Sequence, residues 1–107
     1  MSTDSADIVV HSIDLIVSNP KIRGGRPVLS GTSLRVLDIA VQKVFHRQTP
    51  DEIAQHFQIS LPHVYAALAY YYQHKPEIDT DIREQDKVAR EYKEKRIGSR
   101  HDPILSR

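Results

Sequence analysis

The sequence predicts a mainly α-helical fold: a core of three helices, preceded by a short N-terminal strand and a β-hairpin and followed by an amphipathic C-terminal helix. Three observations predict it. Apolar residues recur at helical spacing in three successive segments after residue 36. Two β-branched runs of strand length precede these segments, and a highly charged segment with a narrow apolar stripe follows them.

Length and composition indicate one small domain with a separate tail. The chain has 107 residues, 15 Lys and Arg against 14 Asp and Glu, and no Cys, which excludes disulfides and thiolate metal sites. Residues 1–74 hold 34 of the 42 hydrophobic residues, whereas the last 33 residues hold 17 of the 29 charges. We therefore expect a flexible N-terminus at 1–11, a folded domain at 12–76 and a charged, partly helical tail at 77–107.

Two sequence patterns predict the β elements. The β-branched runs at residues 8–10 and 13–17 predict one short strand. After the turn at Gly24-Gly25, apolar residues on both sides of Ser30-Gly31-Thr32 predict a small hairpin. Two-stranded hairpins are marginal alone, so we expect this one to pack on the following helices.

The three core helices have distinct start and stop signals. Apolar spacing predicts the first helix from Val36 to about Arg47. Thr49-Pro50-Asp51-Glu52 predicts a capped start for a second helix that ends near Gln58. Ser60 begins the third, and Lys75-Pro76 ends it because the residue before proline avoids the helical region. Of the three tyrosines at 70–72, we expect one in the core and another exposed.

The second and third helices match the pattern of a helix-turn-helix. Ala54 is small enough for a close helix crossing, and Gln58 occupies the turn position that usually holds Gly. In a DNA complex the start of the third helix would face the groove. None of its exposed candidates is Arg, Lys, Asn or Gln, so specific base contacts would be weak, and a plain three-helix packing unit stays an alternative. These candidates are Leu61, Pro62, His63, Tyr65 and Ala66.

Positive charge is concentrated in the hairpin region. No acidic residue lies between Asp14 and Asp38, while four basic residues do. Such a patch suits phosphates or an acidic partner, although a solvated hairpin surface explains it equally well. The residues predicted to contact DNA are Lys21, Arg23, Arg26, Arg35, His63 and Tyr65.

No catalytic or metal site is expected. The six His residues include no pair at spacing i, i+3 or i, i+4, and the acidic residues of residues 1–74 are explained as helix-start and surface charges. We expect no enzyme activity, cofactor or metal. A small metal-dependent enzyme is kept as a third hypothesis, which predicts bound metal in the purified protein. The absence of an apolar run of membrane-spanning length and of a signal-peptide pattern leads us to expect a cytoplasmic protein.

The tail has the pattern of a helix that needs a docking surface. Its apolar residues recur at near-helical spacing, but 14 of the 23 residues at 75–97 are charged. The residues predicted to bind a partner are Ile78, Ile82 and Tyr92.

Three segments together resemble the DUF433 family of small bacterial proteins. They are the run from Asn19 to Thr32 with Gly-Gly-Arg-Pro and Gly-Thr, the run Thr49-Pro50-Asp51-Glu52-Ile53-Ala54, and the Ala-Ala-Leu-Ala-Tyr-Tyr helix that ends at His74. The chain has Ser33 where the family usually has Arg, and Arg47-Gln48 where the family often has Gly.

This resemblance implies a helix-turn-helix of the homeodomain-like or winged-helix kind. It also implies an antitoxin of a type II toxin–antitoxin pair, dimeric, that binds operator DNA and sequesters a PIN-like nuclease toxin through its tail. The alternative hypothesis is a homodimeric protein-interaction module that does not bind DNA.

Overall fold

The computed structural model describes residues 7–105, with side chains described for residues 7–95. Two short strands, β1 (Ile16–Val17) and β2 (Val28–Leu29), flank a 3-10 turn at Arg23–Gly25. The helices α1 (Val36–Val44), α2 (Pro50–Phe57), α3 (Leu61–Gln73) and α4 (Lys75–Leu105) follow. This arrangement confirms the predicted fold class. Residues 1–6 of the predicted flexible N-terminus, and residues 106 and 107 of the predicted tail, lie outside the described residues.

The sheet is smaller than the sequence patterns suggest. β1 pairs antiparallel with β2, with Ile16 opposite Leu29 and Val17 opposite Val28. The predicted hairpin is reduced to a single bridge between Val28 and Arg35. Residues 8–10, although β-branched, form no strand and are exposed. β1 is short because β2 is its only strand partner in the described chain, and β2 ends at a turn in which Gly31 has a φ of 78°.

The core lies between the sheet and all four helices. Leu29 of β2, Ile39 of α1, Ile53 of α2 and Val64 of α3 are fully buried. Each such side chain contributes about 1.5–3 kcal/mol of hydrophobic stabilisation. Tyr71 is also fully buried, while Tyr72 is exposed, which confirms the expected division among the tyrosines.

Hydrogen bonds in the first turns of α2 and α3 confirm the predicted starts of these helices. The Thr49 hydroxyl accepts from the Glu52 N–H at 3.2 Å, and the Glu52 carboxylate accepts from the Thr49 N–H at 2.8 Å, so the capping box is confirmed. The Ser60 hydroxyl caps α3 by accepting from the His63 N–H at 3.3 Å. These bonds satisfy N–H groups that have no partner inside a helix.

Three turn residues adopt left-handed conformations without being glycine, and one of them is Arg23, with a φ of 51°. Gln58, between α2 and α3, has φ 56° and ψ 50°, as expected for the helix-turn-helix turn. Arg47, before α2, has a φ of 55°. A side chain with a Cβ is strained in this region, by roughly 1–2 kcal/mol.

α4 extends far beyond the rest of the chain. The molecule measures 79 × 26 × 24 Å, and its radius of gyration is 19.3 Å, against about 13 Å for a compact chain of roughly 100 residues. Ile78 and Ile82, which the sequence assigned to the tail, lie in the hydrophobic core with 8% exposure each. The division of the chain at residue 76 stays a prediction.

The left-handed conformation of Gln58 predicts that a glycine stabilises the protein at this position but destabilises it inside α2. Replacing Gln58→Gly should raise the free energy of unfolding by about 0.5–1 kcal/mol, because glycine relieves the strain at positive φ. The matched control, Gln55→Gly, places the same change inside α2, where it should lower stability by about 1 kcal/mol. Urea denaturation measures both. Destabilisation of similar size in both variants would contradict the turn geometry.

Candidate functional site

The helix-turn-helix unit places few polar groups at the start of α3. His63 is half-buried, with Nδ1 2.6 Å from the Ser60 hydroxyl and Nε2 3.3 Å from the Ser30 hydroxyl. Both ring nitrogens are therefore engaged within the chain. Tyr65, the other predicted DNA contact on α3, is 56% exposed.

The structure separates the four basic residues of the hairpin region into two pairs. Arg26 and Arg35 are held by internal contacts. The Arg26 guanidinium donates two hydrogen bonds to Asp81 of α4, from Nε at 2.7 Å and from Nη2 at 3.2 Å. Arg35 Nη2 donates to Asp38 at 2.8 Å, and its Nη1 donates to Gln85 of α4 at 3.4 Å. Both guanidiniums thus help to hold α4 against the rest of the molecule.

Lys21 and Arg23 are the exposed members of this basic group. They lie beside Gly24 and Gly25, which have φ values of 67° and 81°. The Lys21 N–H donates to the Asn19 side chain at 2.9 Å, and Arg23 Nη1 donates to the Ser33 carbonyl at 3.3 Å. These two side chains are therefore the exposed positive charges of the predicted DNA-binding group.

Asp38 is a structural carboxylate, although the sequence predicts a surface residue at this position. Its burial by itself would raise the pKa of the carboxyl, but the hydrogen bonds and charge of Arg35 outweigh burial, so the pKa of Asp38 lies below its ordinary value. Its carboxylate also accepts from the Arg35 N–H at 2.8 Å, which closes the start of α1. Asp38 thus remains ionised and fixes Arg35.

A second polar cluster joins the end of α3 to the start of α4. The buried Tyr71 donates its hydroxyl to Asp79 at 2.7 Å, and Lys75 Nζ donates to the other Asp79 oxygen at 2.8 Å. Burial, together with the hydrogen bond to Asp79, raises the pKa of Tyr71. The hydrogen bond from Lys75 lowers the pKa of Asp79. Sequence reasoning missed Asp79, Asp81 and Gln85; the available signal was their position among the apolar residues Ile78 and Ile82.

The residues predicted to bind a partner fall in two environments. Ile78 and Ile82 pack in the core, whereas Tyr92 is 62% exposed on α4 beyond the body. Val88, one turn before Tyr92, is 60% exposed. We call residues 86–105 of α4 the distal arm, and the remainder of the described chain the body.

An apolar groove lies along the exposed side of α3. Its volume is about 560 Å³. It is closed on one side by Ile13 and Ile16 of the N-terminal segment, and no charged residue lines it. The residues that α3 contributes are Pro62, Tyr65, Ala66, Ala69, Tyr70 and Gln73.

Two features are absent from the described residues. No group of three or more His, Asp or Glu side chains in that part of the chain is placed to hold a metal ion. None of its helices combines the length and apolar character needed to cross a membrane.

These features define a small helix-turn-helix protein with a two-stranded sheet and a long C-terminal helix. The family model DUF433, described as a protein of unknown function, matches residues 16–71, which is more than half of the chain. The chain therefore belongs to the DUF433 family, as its motifs predicted. The match ends at Tyr71, so α4 lies outside it. No curated protein and no solved structure matches the chain.

The ion pair between Arg26 and Asp81 should contribute measurably to holding α4. Arg26 is 36% exposed and Asp81 is 29% exposed, and the contact between them is bidentate. A double-mutant cycle with Arg26→Gln and Asp81→Asn, measured by urea denaturation, should give a coupling energy of about 0.5–1 kcal/mol that falls with added salt.

The pair Arg90 and Asp86 on the distal arm provides the control for this cycle. These side chains are 72% and 60% exposed, and we expect their coupling energy to be about 0.3 kcal/mol or less. Equal coupling energies for the two pairs would show that Arg26 and Asp81 do not hold α4 to the body.

Proposed function

We propose that this DUF433 protein is a type II antitoxin that binds a partner nuclease through the distal arm and DNA through the body. The observation that carries the proposal is the form of α4. The helix is held to the body at its base by Ile78, Ile82 and the contact between Arg26 and Asp81, and it then projects away from the body. A helix that is fixed at one end and exposed over residues 86–95 suits the capture of another protein.

The distal arm has an apolar stripe for such a partner. Val88 and Tyr92 are spaced four residues apart, and Ala89 lies beside them on the side that continues from Ile82. This is the spacing with which an amphipathic helix fills an apolar groove of another protein. The nuclease class of the partner comes from the family resemblance, and the structure supports the helical mode of binding.

The DNA component of the proposal depends on Lys21 and Arg23. Both are exposed beside the glycine turn, where side chains and backbone N–H groups can reach phosphates. His63 is engaged by Ser30 and Ser60, and the exposed residues at the start of α3 include no Arg, Lys, Asn or Gln for bidentate base contacts. We therefore expect binding that depends strongly on salt and discriminates weakly between sequences.

The second candidate function is a protein-interaction module without DNA binding. The uncharged groove on α3 favours it, because this is the helix that would enter the DNA groove in a helix-turn-helix complex. The two functions differ in one measurable property, which is DNA binding by the purified protein.

Partner binding should depend on the apolar side of the distal arm. We expect Val88→Ala/Tyr92→Ala to weaken the complex with the product of the adjacent gene by at least about tenfold, because two apolar contacts are lost. Lys87→Ala/Glu94→Ala, on the other side of the same helix, is the control and should leave the affinity within about twofold. Isothermal titration calorimetry measures the affinities, and co-expression measures relief of toxicity.

Two outcomes of this experiment would contradict the proposal. Failure of the wild-type protein to form a complex or to relieve toxicity would show that the antitoxin function is wrong. Equal affinities for the two double variants would place the partner elsewhere on the molecule.

DNA binding should weaken with salt and depend on the glycine turn. If both side chains contact phosphates, Lys21→Ala/Arg23→Ala should lower the slope of log K against log salt by about 1.8, since each phosphate contact contributes about 0.9. Lys87→Ala/Lys93→Ala removes the same charge from the distal arm and should leave the slope unchanged. A fluorescence anisotropy titration of a promoter fragment measures both. An identical decrease in both variants would indicate a nonspecific effect of net charge, and an absence of binding would favour the interaction module.

A further inference from the structure

The Arg26 guanidinium lies against the same glycine turn that carries Lys21 and Arg23. Arg26 directly follows this turn, and its backbone N–H donates to the Arg23 carbonyl at 3.3 Å. The side chain folds back over the turn: its Nη1 lies 3.5 Å from the same carbonyl, and a Cβ added at Gly24 would come within 3.3 Å of that nitrogen. Three basic side chains therefore belong to one short segment, residues 21–26.

Asp81 of α4 occupies the hydrogen-bonding edge of this guanidinium. Its two carboxylate oxygens accept from Arg26 Nε at 2.7 Å and from Arg26 Nη2 at 3.2 Å. A phosphate group binds arginine in the same bidentate way, through two parallel N–H groups. The Asp81 carboxylate therefore fills the position in which Arg26 would hold a phosphate, and its negative charge repels any phosphate that approaches.

The contact between Arg26 and Asp81 is accessible to a ligand and weak enough to exchange. The side chain of Arg26 is 36% exposed and that of Asp81 is 29% exposed, so a ligand in solvent reaches both. An ion pair at such exposure typically favours contact by a factor of only about two to five. A phosphate can therefore compete with Asp81 for Arg26.

Arg35, the other arginine in contact with α4, is held in a different way. Its Nε and Nη2 donate to Asp38 at 3.2 and 2.8 Å, and its side chain is 15% exposed. Asp38 lies on α1, close to Arg35 in the sequence, so this ion pair does not depend on α4. The ion pair of Arg26 does depend on α4, because Asp81 belongs to that helix. Of the two arginines, Arg26 is thus the one that a change in α4 makes available.

We propose that the glycine turn carries a phosphate-binding site of three basic side chains, Lys21, Arg23 and Arg26, and that Asp81 blocks the third as an internal substitute for phosphate. α4 thereby limits the affinity of the body for nucleic-acid phosphates. The inference rests on the DNA component of the proposed function, which it deepens by naming a third phosphate contact and the group that withholds it.

Neutralising Asp81 should strengthen DNA binding, and the gain should require Arg26. In a fluorescence anisotropy titration of a promoter fragment with the full chain, Asp81→Asn should steepen the slope of log K against log salt by about 0.9, the contribution of one phosphate contact. At roughly 0.1 M salt the affinity should rise by at least about threefold. Arg26→Gln/Asp81→Asn, which removes the released guanidinium, should return the slope to the wild-type value.

Asp86→Asn is the matched control for this experiment. It removes the same charge from α4 and also releases an arginine, because the Asp86 carboxylate lies 2.7 Å from Arg90 Nη2. The arginine that it releases lies on the distal arm, so we expect the slope to stay unchanged. Asn has nearly the shape of Asp, and far-UV circular dichroism verifies that each variant keeps its helices.

The outcomes separate this inference from the proposed function. If the wild type binds DNA and Asp81→Asn behaves like Asp86→Asn, the inference is wrong, while the contacts of Lys21 and Arg23 stand. A gain that persists in Arg26→Gln/Asp81→Asn would also overturn it. Binding by Asp81→Asn but not by the wild type would support the inference and contradict DNA binding as a function of the wild type. Absence of binding by every variant would overturn both.

Discussion

The hydrogen bond between Tyr71 and Asp79 joins the end of α3 to the start of α4 and helps to fix where α4 lies against the body. The tyrosine ring is fully buried, and its hydroxyl needs an acceptor because an unpaired buried polar group is costly. Asp79 supplies that acceptor from the first turns of α4 and is itself held by Lys75. This arrangement places Ile78 and Ile82 in the core. A mixed-charge helix that would be marginal alone thereby becomes anchored.

The position of α4 changes the role of the basic residues in the hairpin region, which the sequence predicts to contact DNA. Asp81 comes within reach of Arg26, and Gln85 comes within reach of Arg35. Two of the four basic residues then serve to hold the helix. Of the four basic residues, Lys21 and Arg23 are the ones that remain exposed to an external ligand. In the folded protein, the exposed positive charge of the hairpin region is therefore limited to the part that carries Lys21 and Arg23.

The features of the fold that depend on residues close together in the sequence could be predicted from the sequence. The capping box at Thr49 and the left-handed turn at Gln58 involve residues within one turn of each other, and both are present. The contact of Arg26 with Asp81 spans 55 residues, and no local pattern specifies it. The length of β1 was also beyond prediction, because it depends on the partner strand and not on the β-branched residues themselves.

The continuity of α4 couples its two ends. A helix propagates cooperatively, so order at its base favours order in the following turns, and a partner that orders the distal arm also stabilises the base. The base in turn holds Arg26 and Arg35 beside the glycine turn that carries Lys21 and Arg23. Under the proposed function, binding of a partner to the distal arm should therefore stabilise the contacts of Arg26 and Arg35 with α4. If the proposed function holds, one helix links the surface that binds the partner to the surface that binds DNA.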